Sequence, residues 1–106
     1  MPLEKKNFSL VVAIVNKGYS EDVIRIAEET GASGGTVVFG RGASIRSKAS
    51  LLGVPIEHQK EVIHIVSPRE VAADLLAKLN AACRLSDRGT GLAFALPLDA
   101  VTGLDV

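Results

Sequence analysis

Apolar residues recur along this chain in two rhythms, one suited to strands and one to helices. Residues 8–15 read Phe-Ser-Leu-Val-Val-Ala-Ile-Val, rich in β-branched side chains and long enough for a strand. Val23, Ile26 and Ala27 then fall on one face of a predicted helix. Ser20 is placed to cap it, Glu21 and Asp22 suit its positive N-terminus, and Gly31 stops it. Thr36 to Phe39 predicts a second strand, running into Gly40-Arg41-Gly42, and Glu61 to Val66 predicts a third. Ser67-Pro68-Arg69-Glu70 reads as a helix start, with Ser67 as N-cap, Pro68 first in the helix and Glu70 at the capping-box position. The stripe Val71, Ala72, Leu75, Leu76, Leu79, Ala82, Cys83 follows at helical spacing, to a predicted end near Leu85. After Gly89-Thr90-Gly91 comes a fourth strand, Leu92 to Leu96, closed by Pro97.

The order is therefore β-α-β, a long gap, and β-α-β again. That predicts an α+β, ferredoxin-like domain spanning residues 1–106: a four-stranded antiparallel sheet with two helices on one face. Two helices cover only one side of such a sheet. Yet the first strand is apolar on both, with Leu10, Val12 and Ile14 alternating with Val11, Ala13 and Val15. The fourth strand sets Leu92, Phe94 and Leu96 against alanines. A half-solvated antiparallel sheet should alternate apolar with polar, so the second face is expected to meet other copies of the chain.

Residues 42–59 carry no convincing element of their own, and connections this long are usually functional or disordered. Arg41 immediately precedes this segment, Arg46 and Lys48 sit in it among Ser44, Ser47 and Ser50, with no acid until Glu57, and the apolar stretch Leu51 to Ile56 follows. A solvated linker is the alternative.

Composition narrows the function classes. With 106 residues, 12 basic and 12 acidic, the chain is one domain of net charge zero, without the field that would draw it to nucleic acid or membrane. Aromatics are 4% of residues and Trp is absent, against a base-stacking single-strand binder. The single Cys83 excludes an intrachain disulfide and, lying in a helical apolar stripe, reads as a core thiol. No run reaches membrane-spanning length and the start lacks a signal-type apolar region, so a cytoplasmic location is expected.

Two glycine-rich stretches are the candidate chemistry. Gly89-Thr90-Gly91 can turn tightly and leave amide N–H groups uncovered for an anion, although glycine pairs also make ordinary turns. Gly40-Arg41-Gly42 offers an unobstructed guanidinium fork at a strand end, suited to phosphate, or merely solvating that end. Neither is a Walker loop. His58 and His64 are six apart with no Cys or acid at zinc spacing; His64, alternating with Ile63 and Ile65, is placed on the face away from the helices. No nucleophile-elbow context accompanies the serines.

With these segments in order, the chain resembles the PII nitrogen-regulatory family over nearly its whole length. The likeness is carried by Gly31-Ala32-Ser33-Gly34-Gly35-Thr36, Gly40-Arg41-Gly42, Lys60-Glu61-Val62-Ile63-His64-Ile65-Val66-Ser67-Pro68 and Gly89-Thr90-Gly91-Leu92-Ala93-Phe94, and by the long loop. The resemblance implies a non-enzymatic homotrimer with its sheets facing the three-fold axis. It also implies an adenine nucleotide (ADP, AMP or ATP, with or without Mg) in clefts between subunits, and a T-loop that engages a partner enzyme, transporter or regulator. By position, Ser33 would lie near the adenine, with His64 and Val66 on the strand beside it. Gly40, Arg41 and Gly42 would meet phosphate at the base of the T-loop. Gly89, Thr90 and Gly91 would form the phosphate-gripping B-loop, and Lys60 would lie near the effector pocket. Arg46, Ser47, Lys48 and Ser50 would belong to the T-loop and its partner surface.

The departures are specific. Gly42 replaces the family's Gln, Leu92 replaces the Lys after the B-loop glycines, and residues 100–106 lack the C-terminal arginines. The only tyrosine is Tyr19, outside the loop. Charge-assisted phosphate contacts contribute ~1.5–3 kcal/mol each, so ADP or AMP is expected over ATP. Two other readings stand beside this one. One is an acylphosphatase-type hydrolase using Arg41, the glycine-turn amides, and Asn16 or Asn80 to orient water. The other is a bicarbonate- or metal-responsive module involving His58 and His64.

Overall fold

The computed structural model describes residues 4–5, 7–32, 34–42, 50–51, 54–55, 58–87 and 89–104. In chain order the elements are β1 (Glu4–Lys5), β2 (Phe8–Asn16), α1 (Ser20–Thr30), β3 (Gly35–Gly42), β4 (Ser50–Leu51), β5 (Val54–Pro55) and β6 (His58–Pro68). A 3-10 turn (Arg69–Val71), α2 (Ala72–Cys83), β7 (Gly91–Pro97) and β8 (Ala100–Val101) complete it. Four strands form one antiparallel sheet in the order β3-β6-β2-β7, and both helices pack on the same face of it. This is the ferredoxin-like α+β architecture the pattern predicts.

The core is the helix-side face. Val11, Ala13 and Val15 of β2 stand in register with Ile65, Ile63 and Glu61 of β6, and Val23, Ala27, Leu75, Leu79 and Cys83 close over them from the helices. Fully burying each such leucine or isoleucine contributes about 1.5–3 kcal/mol. Cys83 is buried, as the stripe implies, and both burial and the charge of Asp22 raise its thiol pKa, which leaves it a poor nucleophile. Ala82, placed in the same stripe, is exposed instead.

The other face is laid out as the alternation requires. Leu96, Leu10 and Val66 form one cross-strand row; Phe94, Val12, His64 and Thr36 form the next; Leu92, Ile14, Val62 and Val38 form the third. Among the described residues no helix covers this face, and Leu92 and Leu96 are 51% and 50% exposed.

Several local expectations are corrected. Ser67 is not a helix cap: β6 runs through Pro68, Ser67 is buried opposite Ser9, and its hydroxyl donates to the Pro68 carbonyl at 2.8 Å. Pairing with β2 wins over the local capping signal, and α2 starts only at Ala72 and ends at Cys83 rather than near Leu85. Ser20 is the first helical residue of α1 rather than its cap. The second and third strands are longer than predicted, because pairing continues to Gly42 opposite His58. Within the long connection, Ser50–Leu51 pairs with Val54–Pro55, so that segment is not without structure of its own. The two-residue pair β1–β8 has no counterpart in the sequence pattern.

Candidate functional site

The residues singled out by sequence gather at one end of the sheet. Gly91, Val15, Glu61 and Phe39 form a single row across β7, β2, β6 and β3. The next row beyond is Asn16, Lys60 and Gly40. Arg41 follows, opposite Gln59.

Arg41 and Lys60 line one open depression of about 510 Å³, together with Lys17, Phe39, Gly40 and Gln59. Strand alternation puts Phe39 and Arg41 on the helix side and Lys60 on the open side. They share a depression because β3 is an edge strand and Gly40, with open space where a side chain would be, leaves a gap between the faces. Gly42 sits at ordinary contact distance from the Lys60 stem, 3.6 Å to its Cγ. The space is therefore lined by three cations and one aromatic ring. That Phe39 is 73% exposed was not legible in the sequence, where it reads as the last residue of a strand.

The glycine turn is built by close approach as much as by exposure. Gly91 has φ of 137°, and a Cβ there would lie 2.1 Å from the Ile14 carbonyl oxygen. Only glycine lets β7 enter the sheet at that point. Gly89, with φ of 75°, faces open space. The Thr90 hydroxyl is shared between the carbonyls of Arg84 and Asp87, at 2.7 and 2.9 Å, which fastens the turn to the end of α2. Thr90 can thus offer a ligand its amide rather than its hydroxyl.

Lys60 reaches the same turn through Asn16. Its ammonium donates to Asn16 Oδ1 at 2.6 Å, and Asn16 Nδ2 donates to the Gly89 carbonyl at 3.2 Å. Burial lowers the Lys60 pKa from its ordinary value. These two bonds fix the orientation of the Asn16 amide and leave one N–H and one oxygen lone pair without a protein partner among the described residues. Asn80, the other candidate for orienting a hydrolytic water, accepts from the Ser86 hydroxyl at 3.0 Å.

Glu61 is a site residue that sequence reasoning passed over. Its side chain points into the core face and accepts from the backbone N–H of Gly18 at 2.5 Å and of Ser20 at 3.4 Å. It thereby caps α1 from a strand 41 residues away. Burial works to raise its pKa, but the bonds from Gly18, Ser20 and Tyr19 outweigh that, and the carboxyl is held below its ordinary value. An acid inside an otherwise apolar strand was the available signal.

The remaining assignments separate. His64 is exposed on the open face, four residues and roughly 13 Å along β6 from Lys60. Val66 lies a further two residues away, roughly 20 Å from Lys60, and is not part of the cluster. His58 and His64 stand at opposite ends of a stretch of roughly 20 Å, too far apart to share one ion within a chain. Among the described residues no group of three or more His, Cys, Asp or Glu is placed to hold a metal. Ser33, Arg46, Ser47 and Lys48 lie outside the described residues, and Ser50 is described only as backbone of β4.

No protein-family model matches the sequence, and no match is found among curated proteins. The fold does match solved structures. CutA from Synechococcus elongatus PCC7942 superposes with a TM-score of 0.68, covering 95% of this chain and 86% of that one at 12% identity. At that identity the likeness shows the fold alone: a four-stranded antiparallel ferredoxin-like sheet with two helices on one face. Among the described residues no helix is long and apolar enough to cross a membrane.

Proposed function

We propose that this chain is a non-enzymatic PII-like regulatory protein. It acts as a cytoplasmic homotrimer, binds an adenine nucleotide between subunits and signals to a partner protein through residues 42–59. The observation that carries this reading is the placement of the two phosphate-suited elements. Phe39 and Gly91 occupy the same row at opposite edges of the sheet. Three strand spacings of ~4.8 Å separate them, roughly 14 Å. Arg41 is farther still along β3. One phosphate group cannot be gripped by Arg41 and by the Gly89–Gly91 amides of the same chain. Two neighbouring chains can supply them to one cleft, and the uncovered apolar face gives those chains a reason to associate.

In this reading the base lies along the open face near His64, with Ser33 assigned to it by the resemblance alone, and the phosphates meet Arg41, Lys60 and the turn amides. Leu92 adds no charge where a lysine would be useful, and Gly42 adds no side chain. ADP or AMP is therefore preferred over ATP. The ligand reaches the partner surface because β3 and β6, which carry Arg41 and Lys60, continue directly into residues 42–59. A ligand shifts that loop only as far as it contacts one loop state better than another.

Calorimetric titration of AMP, ADP, ATP and cyclic AMP into the wild type and Arg41→Ala tests the proposal. It expects binding strongest for ADP or AMP, with a loss of about ten-fold or more in Arg41→Ala. Absence of binding for all four nucleotides in the wild type overturns it.

A further inference from the structure

Lys60 and the glycine turn belong to different strands and do not touch. They are nevertheless joined by one side chain. Asn16 is the last residue of β2, and its amide spans the gap: the oxygen accepts from Lys60 and the nitrogen donates to Gly89. Only one orientation of the amide serves both partners, since the Lys60 ammonium can only donate and the Gly89 carbonyl can only accept. Lys60 thereby fixes which way Asn16 points, and Asn16 fixes the carbonyl of the first residue of the turn.

We propose that Asn16 is a positioning residue that couples the cation at Lys60 to the conformation of the Gly89–Gly91 turn. With Lys60 held on Asn16, the turn is clamped on two sides, to β2 through Gly89 and to α2 through Thr90. An anionic ligand that draws the ammonium away leaves the Asn16 oxygen without its donor. The amide is then free to rotate and the Gly89 carbonyl is released. The open space beside Gly89 gives the freed turn room to move. Lys60 is two residues from His58, where β6 leaves the long connection, so the relay also links the turn to the base of the partner-binding segment. The ligand half of this mechanism rests on the nucleotide reading above. The relay itself is a property of the unliganded chain and is tested there.

Hydrogen exchange of the unliganded protein, followed by mass spectrometry on a peptide spanning residues 86–93, reads the relay directly. Lys60→Met should accelerate exchange of this peptide about two- to ten-fold, the range commanded by one neutral hydrogen bond such as that from Asn16 to Gly89. Asn16→Ala should do the same. Asn16→Asp keeps an acceptor for Lys60 but removes the donor to Gly89, and should loosen the turn like Asn16→Ala. The double variant Asn16→Ala/Lys60→Met should exchange no faster than Asn16→Ala alone, because both act through one amide. An unchanged peptide in Lys60→Met, a double variant equal to the product of the single effects, or an acceleration shared equally by α1 each overturns the relay. Calorimetry with ADP runs separately. If ADP fails to bind while the exchange pattern holds, the nucleotide reading fails and the relay stands.

Discussion

Replacing Glu61 should cost more stability than any surface carboxylate of this chain, and the loss should depend on pH in a defined direction. The carboxylate is buried, and it accepts from the N–H groups of Gly18 and Ser20 at the start of α1. Glu61→Gln keeps the shape and one acceptor oxygen but turns two charge-assisted bonds into neutral ones, a loss of about 1–2 kcal/mol. Glu61→Ala also strands both N–H groups beside a small cavity, a loss of roughly 2–4 kcal/mol. For a chain of this length ~1 kcal/mol moves the melting midpoint by about 4–5 °C. Glu61→Ala should thus melt roughly 10–18 °C lower and Glu61→Gln about half as far. Thermal unfolding followed by circular dichroism at one fixed chain concentration measures both. The pH dependence follows from the depressed pKa of Glu61. Its stabilisation is complete above the ordinary carboxylate range and is lost as pH falls through the lower folded-state value. The difference between wild type and Glu61→Gln should therefore shrink on acidification and vanish once the carboxyl is protonated. A difference that is constant with pH, or a Glu61→Ala protein as stable as the wild type, refutes the capping argument.

Two further outcomes separate structural from ligand-facing roles. Gly91→Ala forces a Cβ onto the Ile14 carbonyl and should destabilise the chain by roughly 3 kcal/mol or more. Gly89→Ala meets open space and should cost only about 1 kcal/mol of backbone strain while weakening ligand binding more than stability; paired denaturation and calorimetry distinguish them. Leu96→Lys changes a side chain already half exposed in the isolated chain, so it should fold normally yet lower the oligomer mass in sedimentation velocity. A wild type that sediments as a monomer would remove the basis for that expectation.

Much of the fold was legible because its signals are local. Alternation in residues 8–15 set both sheet faces, and the spacing of Leu75 and Leu79 set the buried side of α2. The failures lie where partners are distant in sequence. Ser67 satisfied every local rule for a cap, yet its backbone is taken by the strand opposite. The group that caps α1 comes from Glu61 on β6, which no window around Ser20 contains. The two-residue strands β1 and β8 are too short to show a period. The candidate site divides in the same way. Arg41 and the glycine turn announced themselves by residue type, whereas the Asn16 bridge joins residues 73 apart and leaves no pattern. Phe39 was missed because strand propensity says nothing of whether a helix covers the strand.

The central claim is that one ligand site takes Arg41 from one chain and the glycine turn from its neighbour. Co-expression of Arg41→Ala with a turn-defective Gly89→Val chain, followed by calorimetry with ADP on the mixed oligomers, tests it most directly. Each variant alone should bind ADP about ten-fold or more weakly than the wild type. In random mixtures a site shared between two chains regains both intact halves in about a quarter of cases, so roughly a quarter of the wild-type stoichiometry should return at wild-type affinity. Mixed oligomers with no ADP site of wild-type affinity, beside a wild type that binds ADP, would place both halves of the site in one chain and contradict the account.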